Sequence, residues 1–275
     1  MMGKYGLPYM GSKNKIAPWV LEHLPKAHTL VDLFAGGCAV THCALQSGKW
    51  QKVHSNDITD SAIFFKDVAL GKYHDRCEWI SREDFMRFKN SDPWIRLIYS
   101  FSCDQHTYLY GEEIEKYKEQ VFKLLTGDSI HERRMAYRGI VREIERFITN
   151  RKIRPALDME VLERIERLRG IQLSNEVPKL EATQADYRDV EILPDSVIFC
   201  DIPYRNTREY RNGTFDHDVF YEWAIKQTAP LFISEYWMPE DRFECVAEFE
   251  RVSTFSATNN SLRKVERIFR PKTQL

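Results

Sequence analysis

The stretch VDLFAGGCAV, residues 31–40, constrains the fold more than any other part of the chain. It joins an apolar run, residues 28–34, through two adjacent glycines to a helix-forming segment at 39–47. An almost unbroken apolar run that ends at glycines is typical of a strand buried on both faces. Glycines in the turn also let backbone amides approach a ligand without a Cβ atom in the way. The stretch therefore predicts a parallel strand and a ligand-binding turn, with a turn that serves packing alone as the alternative.

Strand and helix patterns alternate on both sides of a long helical region. The predicted strands are 28–34, 52–57, 196–201, 230–234, 249–254 and 265–270. The predicted helices are 12–23, 39–47, 60–70, 111–125, 131–150, 157–169 and 216–228. This order predicts an α/β fold, a Rossmann-like sheet formed by residues 1–74 and 171–275. Residues 75–170 are predicted to form a mainly helical insertion.

Composition is that of an ordinary soluble globular protein. Lys and Arg number 40 against 41 Asp and Glu, and 43% of the residues are hydrophobic. No apolar run approaches the roughly 18 residues of a membrane span, so we expect a cytoplasmic protein without a membrane partner. The six cysteines and eight histidines are scattered, without a C-x-x-C pair. Buried thiols are therefore expected, and no metal site.

An acid ends the second predicted strand, in the sequence SNDI at 55–58. An acid at that place in a β-α-β unit can accept hydrogen bonds from ribose hydroxyls. The alternative for Asp57 is an N-cap of the helix that follows. Together with the glycine turn at its expected distance, Asp57 favours a nucleoside ligand.

The sequence FCDIPY, residues 199–204, places an acid, a proline and an aromatic residue at another strand end. Ligands of open α/β sheets bind at the carboxyl ends of the strands. A planar amine held there can donate to the Asp201 carboxylate and to the carbonyl of Ile202, which Pro203 would orient. Tyr204 offers a ring on which a flipped base can stack. This chemistry needs no metal.

These motifs together resemble those of the Dam-type adenine-specific DNA methyltransferases, most closely their phage and prophage members. The resemblance is carried, in that family's order, by YMGSK (9–13), DLFAGG (32–37), ND (56–57), DY (186–187), DIPY (201–204) and ISEYWMP (233–239). It implies methyl transfer from S-adenosylmethionine to adenine N6 in double-stranded DNA, with a target-recognition domain in the insertion. A partner restriction endonuclease is compatible with it.

The resemblance also implies a role for each matching residue. Asp201, Ile202, Pro203 and Tyr204 would take the target adenine, with Asp201 also near the cofactor. The other residues implied to bind the cofactor are Tyr9, Lys13, Asp32, Phe34, Ala35, Gly36, Gly37, Asp57, Ile58, Asp186 and Tyr187. The family's usual tetrapeptide is Asp-Pro-Pro-Tyr, and Ile202 replaces its first proline. The change affects stiffness more than chemistry, because the required acceptor is a main-chain carbonyl.

A basic stretch in the insertion is the predicted DNA contact. Between residues 131 and 154 there are eight Lys and Arg against three acids. Arg134, Arg138, Arg142 and Arg146 recur every four residues and so lie on one helix face. A solvated face with ion pairs to nearby glutamates is the alternative. Arg205 and Arg208, in the loop after the tetrapeptide, are predicted to contact DNA as well, unless that loop is an ordinary polar connection.

Other functions compete with the leading prediction. The same tetrapeptide chemistry fits N4 of cytosine or an adenine in RNA. A homologue that binds DNA but is catalytically weak or inactive is motivated by Ile202. A nicotinamide-dependent oxidoreductase is disfavoured, because the glycine turn lacks the G-x-G-x-x-G spacing.

Overall fold

The computed structural model describes residues 5–150, 159–205, 215–252 and 263–274; within these ranges the side chains of 146–150, 251–252 and 263–264 are left undescribed. The chain forms two compact units. The first unit comprises Met1–Gly6, Ser12–Lys66 and Leu173–Leu275, and the second comprises Leu7–Gly11 and Asp67–Gln172.

A seven-stranded sheet forms the centre of the first unit, with strand order β3-β2-β1-β4-β5-β7-β6. The strands are β1 Thr29–Asp32, β2 Lys52–Asp57, β3 Leu180–Gln184, β4 Ser196–Cys200, β5 Leu231–Glu235, β6 Phe243–Val252 and β7 Arg263–Pro271. The first five are parallel to one another, and β7 pairs antiparallel with both β5 and β6. The prediction of an α/β fold with a Rossmann-like sheet is confirmed.

The helices of the first unit lie between its strands along the chain or precede them. They are α1 Ala17–His23, α2 Ala39–Ser47, α3 Ser61–Ala69, which runs past the unit's boundary at Lys66, and α9 His217–Ala224. The predicted helix over 12–23 begins as a short 3-10 turn at Lys13–Lys15. The predicted helix over 216–228 ends early, at Ala224, before Pro230. Parallel strands crossed over by helices place all their carboxyl ends at one edge of the sheet, where ligands of such folds bind.

The second unit is mainly helical. Its helices are α4 Arg82–Phe88, α5 Pro93–Ile98, α6 Glu112–Thr126, α7 Ile130–Asn150 and α8 Glu160–Arg169. Helices α6 and α7 pack together, with Val121 and Phe122 of one and Ala136 and Ile140 of the other buried. The short helices α4 and α5 were not predicted from the sequence.

A loop that contains a short antiparallel bridge joins α5 to α6 in the second unit. Ser100 and Tyr108 form an antiparallel bridge, and Leu109 N–H donates to the carbonyl of Tyr99. Tyr108 and Tyr110 are buried here, at 3% and 8% exposure. Both side chains therefore pack inside this unit. In the described part of the chain, no helix is long and apolar enough to cross a membrane.

Candidate active site

The turn after β1 is built around two residues with left-handed backbone. Gly36 has φ of +48°, and Cys38, at the start of α2, has φ of +57°. A non-glycine residue in this region is strained by about 1–3 kcal/mol and persists only where the surroundings impose it. Here Cys38 is fully buried, and its N–H donates to the carbonyl of Ala35 at 2.6 Å. The turn is thus held in one conformation between Phe34 and Gly37.

Asp57, at the end of β2, ties this turn to the next one. Gly36 N–H donates to Asp57 Oδ2 at 2.9 Å, while Thr59 N–H and Oγ1 donate to Asp57 Oδ1 at 2.9 and 2.7 Å. The structure therefore brings the predicted glycine turn into contact with Asp57, the acid predicted to bind a ribose. Ile58 beside it is 52% exposed. If Asp57 binds the ribose of a nucleoside, the exposed aliphatic side chain of Ile58 is suited to contact the base of the same nucleoside.

Asp32, at the end of β1, is a buried carboxylate with one oxygen in use. Thr41 donates to Oδ2 from its N–H at 3.2 Å and from Oγ1 at 2.7 Å. Oδ1 has no partner among the described residues. Burial raises the Asp32 pKa to about 7, against the opposing effect of the Thr41 hydrogen bonds. A buried polar atom without a partner is costly, which indicates that a ligand's donor belongs there.

An aromatic group lies beside the turn. The Phe34 ring is 5.2 Å from Tyr187, and the Tyr187 ring is 5.0 Å from Trp223, both measured between centroids. The neighbouring Asp186 accepts from Arg188 Nε and Nη2 at 2.8 Å, and this ion pair lowers its pKa. The predicted pair Asp186 and Tyr187 therefore lies near the glycine turn, with the carboxylate already engaged by arginine.

The tetrapeptide after β4 meets the amino-terminal motif. Lys13 Nζ lies 2.8 Å from Asp201 Oδ1 and donates to the Tyr204 hydroxyl at 2.6 Å. The side chains of Lys13 and Asp201 are 9% and 22% exposed. Burial raises the pKa of Asp201, and the Lys13 ammonium opposes that rise. The structure thus places Lys13, predicted to contact the cofactor, against the carboxylate of Asp201, which is predicted to be catalytic.

The Tyr204 hydroxyl has further partners from two strands. It lies 2.9 Å from Ser234 Oγ of β5 and donates to Glu266 Oε2 of β7 at 2.8 Å. Its ring contacts Tyr236, with centroids 4.6 Å apart and planes at 75°. Burial, followed by the charges of Asp201 and Glu266, raises the Tyr204 pKa well above its ordinary value.

Sequence reasoning assigned no role to Ser234 or Glu266. The signal for Glu266 was its place in β7. Glu266 and Ile268, two residues apart on one face of the strand, are both buried. An acid at an inward-facing strand position needs a partner.

Residues 9–228, about four fifths of the chain, match the family model described as D12 class N6 adenine-specific DNA methyltransferase. The chain belongs to this family. A segment of 51 residues is also 43% identical to the Type II methyltransferase M2.HphI of Haemophilus parahaemolyticus. That segment covers 18% of this chain and only 15% of the relative. The predicted membership of an adenine-specific DNA methyltransferase family is confirmed by the family match, while likeness to phage members stays a prediction.

Ile202, which departs from the family's usual tetrapeptide, is a core residue in this methyltransferase family member. Its side chain is 1% exposed and packs in the cluster that contains Val31, Leu33 and Ile233. The next residue, Pro203, accepts through its carbonyl from His217 Nε2 at 2.8 Å. Because a carbonyl only accepts, Nε2 carries the proton. Packing at Ile202 and this hydrogen bond restrain the loop without the proline that usually precedes Pro203.

The remaining predicted residues lie elsewhere. Tyr9 belongs to the second unit and is half-buried. Arg134, Arg138 and Arg142 are exposed on α7. Arg205 pairs at the surface with Asp218 at 3.2 Å. Arg208 and the side chain of Arg146 lie outside the described residues. Across the described ranges, no group of three or more His, Cys, Asp or Glu side chains could hold a metal ion.

Proposed function

We propose that this protein transfers a methyl group from S-adenosylmethionine to N6 of a flipped adenine at specific sites in double-stranded DNA. Family membership supplies the reaction class. The observation that carries the proposal is the contact of Lys13 with both Asp201 and Tyr204. Through it, two motifs 188 positions apart form one catalytic arrangement at the carboxyl end of β4.

The residues at the carboxyl ends of β1 and β2 fit S-adenosylmethionine, which supplies an electrophilic methyl group on a sulfonium. Asp32 Oδ1 is a buried acceptor whose partner the described residues do not provide. It would bind the ammonium of the methionine portion. Asp57 would accept from the ribose, and Ile58 would pack on the adenine ring. The other contacts would come from Tyr9, Phe34, Ala35, Gly36, Gly37, Asp186 and Tyr187.

The tetrapeptide would orient the target amine. Lys13 holds Oδ1 of Asp201 and so leaves Oδ2 to accept one N6 hydrogen. The Ile202 carbonyl would accept the other, which turns the nitrogen lone pair toward the methyl group. Tyr204 would support the base by stacking. Lys13 is in this proposal a residue that positions Asp201.

The second unit would bind the DNA and recognise its sequence. Arg134, Arg138 and Arg142 lie exposed along one helix, as phosphate contacts must. We call these three residues the arginine stripe. Arg205, Arg208 and Arg146 are proposed as additional phosphate contacts.

The test is to incubate the protein with isotope-labelled S-adenosylmethionine and unmethylated plasmid DNA, digest the DNA, and identify the labelled nucleoside by mass spectrometry. Asp201→Ala, run in parallel, controls for contaminating enzymes. Label on N6-methyladenine that is absent with the variant is the expected result. Label on N4-methylcytosine would show that the protein methylates cytosine instead of adenine. No label, with cofactor and DNA both bound, would overturn the proposed activity.

A further inference from the structure

The Tyr204 hydroxyl is fixed by more partners than a stacking ring requires. Lys13 Nζ donates to it at 2.6 Å, Ser234 Oγ lies at 2.9 Å and Glu266 Oε2 at 2.8 Å. A phenol has one proton and two lone pairs. Because an ionised carboxylate only accepts, that proton is shared between two carboxylates, Glu266 at 2.8 Å and Asp201, whose pKa a hydrogen bond from Tyr204 lowers. Ser234 must therefore donate its own proton. These contacts restrain the hydroxyl as well as the place of the ring.

Strand pairing makes Glu266 and Ser234 diagonal neighbours on one face of the sheet. Ser234 of β5 pairs with Ile268 of β7 in the antiparallel ladder, and Glu266 is two residues from Ile268 on the same face. Ser234 is fully buried and Glu266 is 6% exposed. Both side chains therefore project from rigid neighbouring strands toward the tetrapeptide loop.

A carboxylate at this strand position is costly for folding. An ionised group taken out of water loses its hydration, and a hydrophobic residue of similar volume often stabilises a core as well or better. The Lys13 ammonium, 3.8 Å from Glu266, offsets part of this cost but is already shared with Asp201. Stability alone thus gives little reason for an acid here, whereas orientation of Tyr204 gives one.

We propose that Glu266 is a positioning residue for methyl transfer, which acts by holding the Tyr204 hydroxyl so that the ring presents a fixed face to the flipped base. Ser234 supports the same hydroxyl as a donor. This role rests on the proposed function, because it assigns a further residue to the same reaction. It concerns the reacting geometry and leaves affinity for cofactor and DNA unaffected.

The first test measures single-turnover methyl transfer by Glu266→Ala, Glu266→Gln and Glu248→Ala. Glu248 is the matched control, an exposed acid of the adjoining strand β6 whose carboxylate pairs with Arg267. We expect Glu266→Ala to lower the rate about tenfold to a hundredfold, since a displacement near 1 Å at a reacting centre can cost that much. Glu266→Gln keeps an acceptor for the Tyr204 proton and should retain most of the rate. Dissociation constants for cofactor and DNA should not change.

A double-mutant cycle with Tyr204→Phe tests whether Glu266 acts through the hydroxyl. Once the hydroxyl is gone, Glu266→Ala should cause no further loss of rate. An equal loss in both backgrounds would overturn the proposal, as would a normal rate in Glu266→Ala itself. The thermal melting temperature of each variant identifies any that fails to fold, and Glu266→Gln then provides the comparison.

A second readout does not need activity. In protein labelled with 3-fluorotyrosine, the ¹⁹F resonance of Tyr204 is assigned by its loss in Tyr204→Phe. Glu266→Ala should shift and broaden this resonance, and Glu248→Ala should leave it in place. If the wild type methylates no base, the proposed function fails, while this resonance still decides whether Glu266 holds Tyr204 in place. A Tyr204 resonance that Glu266→Ala does not alter would contradict that role.

Discussion

The side chains around Tyr204 and the arginine stripe on α7 are two polar regions of opposite construction. Around Tyr204, Lys13 and Glu266 have side chains only 9% and 7% exposed, and each is paired. On α7, Arg134, Arg138 and Arg142 are exposed to solvent. Methyl transfer needs groups fixed in place before the substrate arrives. Phosphate contact needs positive charge that the DNA backbone can reach, and tolerates side chains that adapt.

This difference predicts that substitutions in the two regions impair different steps of the reaction. Damage around Tyr204 should lower the rate of transfer and leave DNA affinity intact. Damage to the arginine stripe should lower DNA affinity and leave the rate on bound DNA intact.

The largest effect is expected from Asp201→Ala. Loss of the carboxylate removes the proposed acceptor for N6 and leaves the Lys13 ammonium with the Tyr204 hydroxyl and the more distant carboxylate of Glu266. We expect single-turnover methyl transfer to fall by a factor on the order of 10³, within the range for a lost preorganised or acid-base group. Incorporation of labelled methyl into plasmid DNA measures it. A rate within tenfold of wild type would remove Asp201 from the reaction.

Next in size is the effect of replacing the whole arginine stripe with glutamine. Each phosphate contact that is lost should reduce the steepness with which the logarithm of the DNA association constant falls with the logarithm of the salt concentration by about 0.9. For the whole variant, DNA affinity should fall roughly tenfold to a hundredfold at moderate salt. Fluorescence anisotropy with duplex DNA across a salt series measures both. The charge-matched control replaces Lys26, Lys52 and Lys179, all exposed. An equal decrease of affinity in the control would show that only net charge matters.

The two regions should also respond differently to pH. Burial raises the pKa of Asp201 above its ordinary range and that of Asp32 to about 7. Because both carboxylates accept hydrogen bonds most strongly when ionised, transfer should decline as pH falls, with a midpoint above the ordinary carboxyl value of about 4. Arginine stays charged throughout this range. DNA affinity should therefore stay flat where the rate declines, and a parallel decline of both would contradict the separation.

The smallest effect is expected from Ile202→Pro, which restores the family's usual tetrapeptide. The main-chain carbonyl is kept, so the rate should change less than about threefold, a barrier change of under 1 kcal/mol. Loss of packing in the core should lower stability by about 1–2 kcal/mol, which thermal or urea unfolding measures. Ile202→Val is the control for packing alone. A gain of tenfold or more in rate would mean that Ile202 weakens the native enzyme.

The sequence predicted the framework of the fold because its central strands are buried on both faces. Residues 28–34 and 196–201 are apolar runs, and the observed β1 and β4 lie within them. The edge strand β3 was missed, since LEATQ has little apolar character and pairs only with β2. Helix α5 was missed although Asp92 caps it and Pro93 begins it, because it spans only six residues.

Site residues could be predicted where they end a strand, as Asp57 does, or follow it directly, as Asp201 does. The contact of Lys13 with Asp201 and the place of Glu266 depend on pairing between distant segments. Glu266 is 62 positions from Tyr204, and the register of β7 on β5 decides which of its residues face the tetrapeptide. The arginine stripe needs only the period of one helix, so the sequence shows it in full.

The most direct test of the account measures single-turnover methyl transfer at saturating DNA for wild type, Asp201→Ala and the stripe variant side by side. We predict that the stripe variant transfers methyl groups at close to the wild-type rate once DNA is saturating. We predict that the Asp201→Ala protein binds DNA normally and transfers almost no methyl groups. A stripe variant that stays slow on saturating DNA, or an Asp201→Ala protein that transfers at the wild-type rate, would contradict the assignment of chemistry and DNA binding to these two regions.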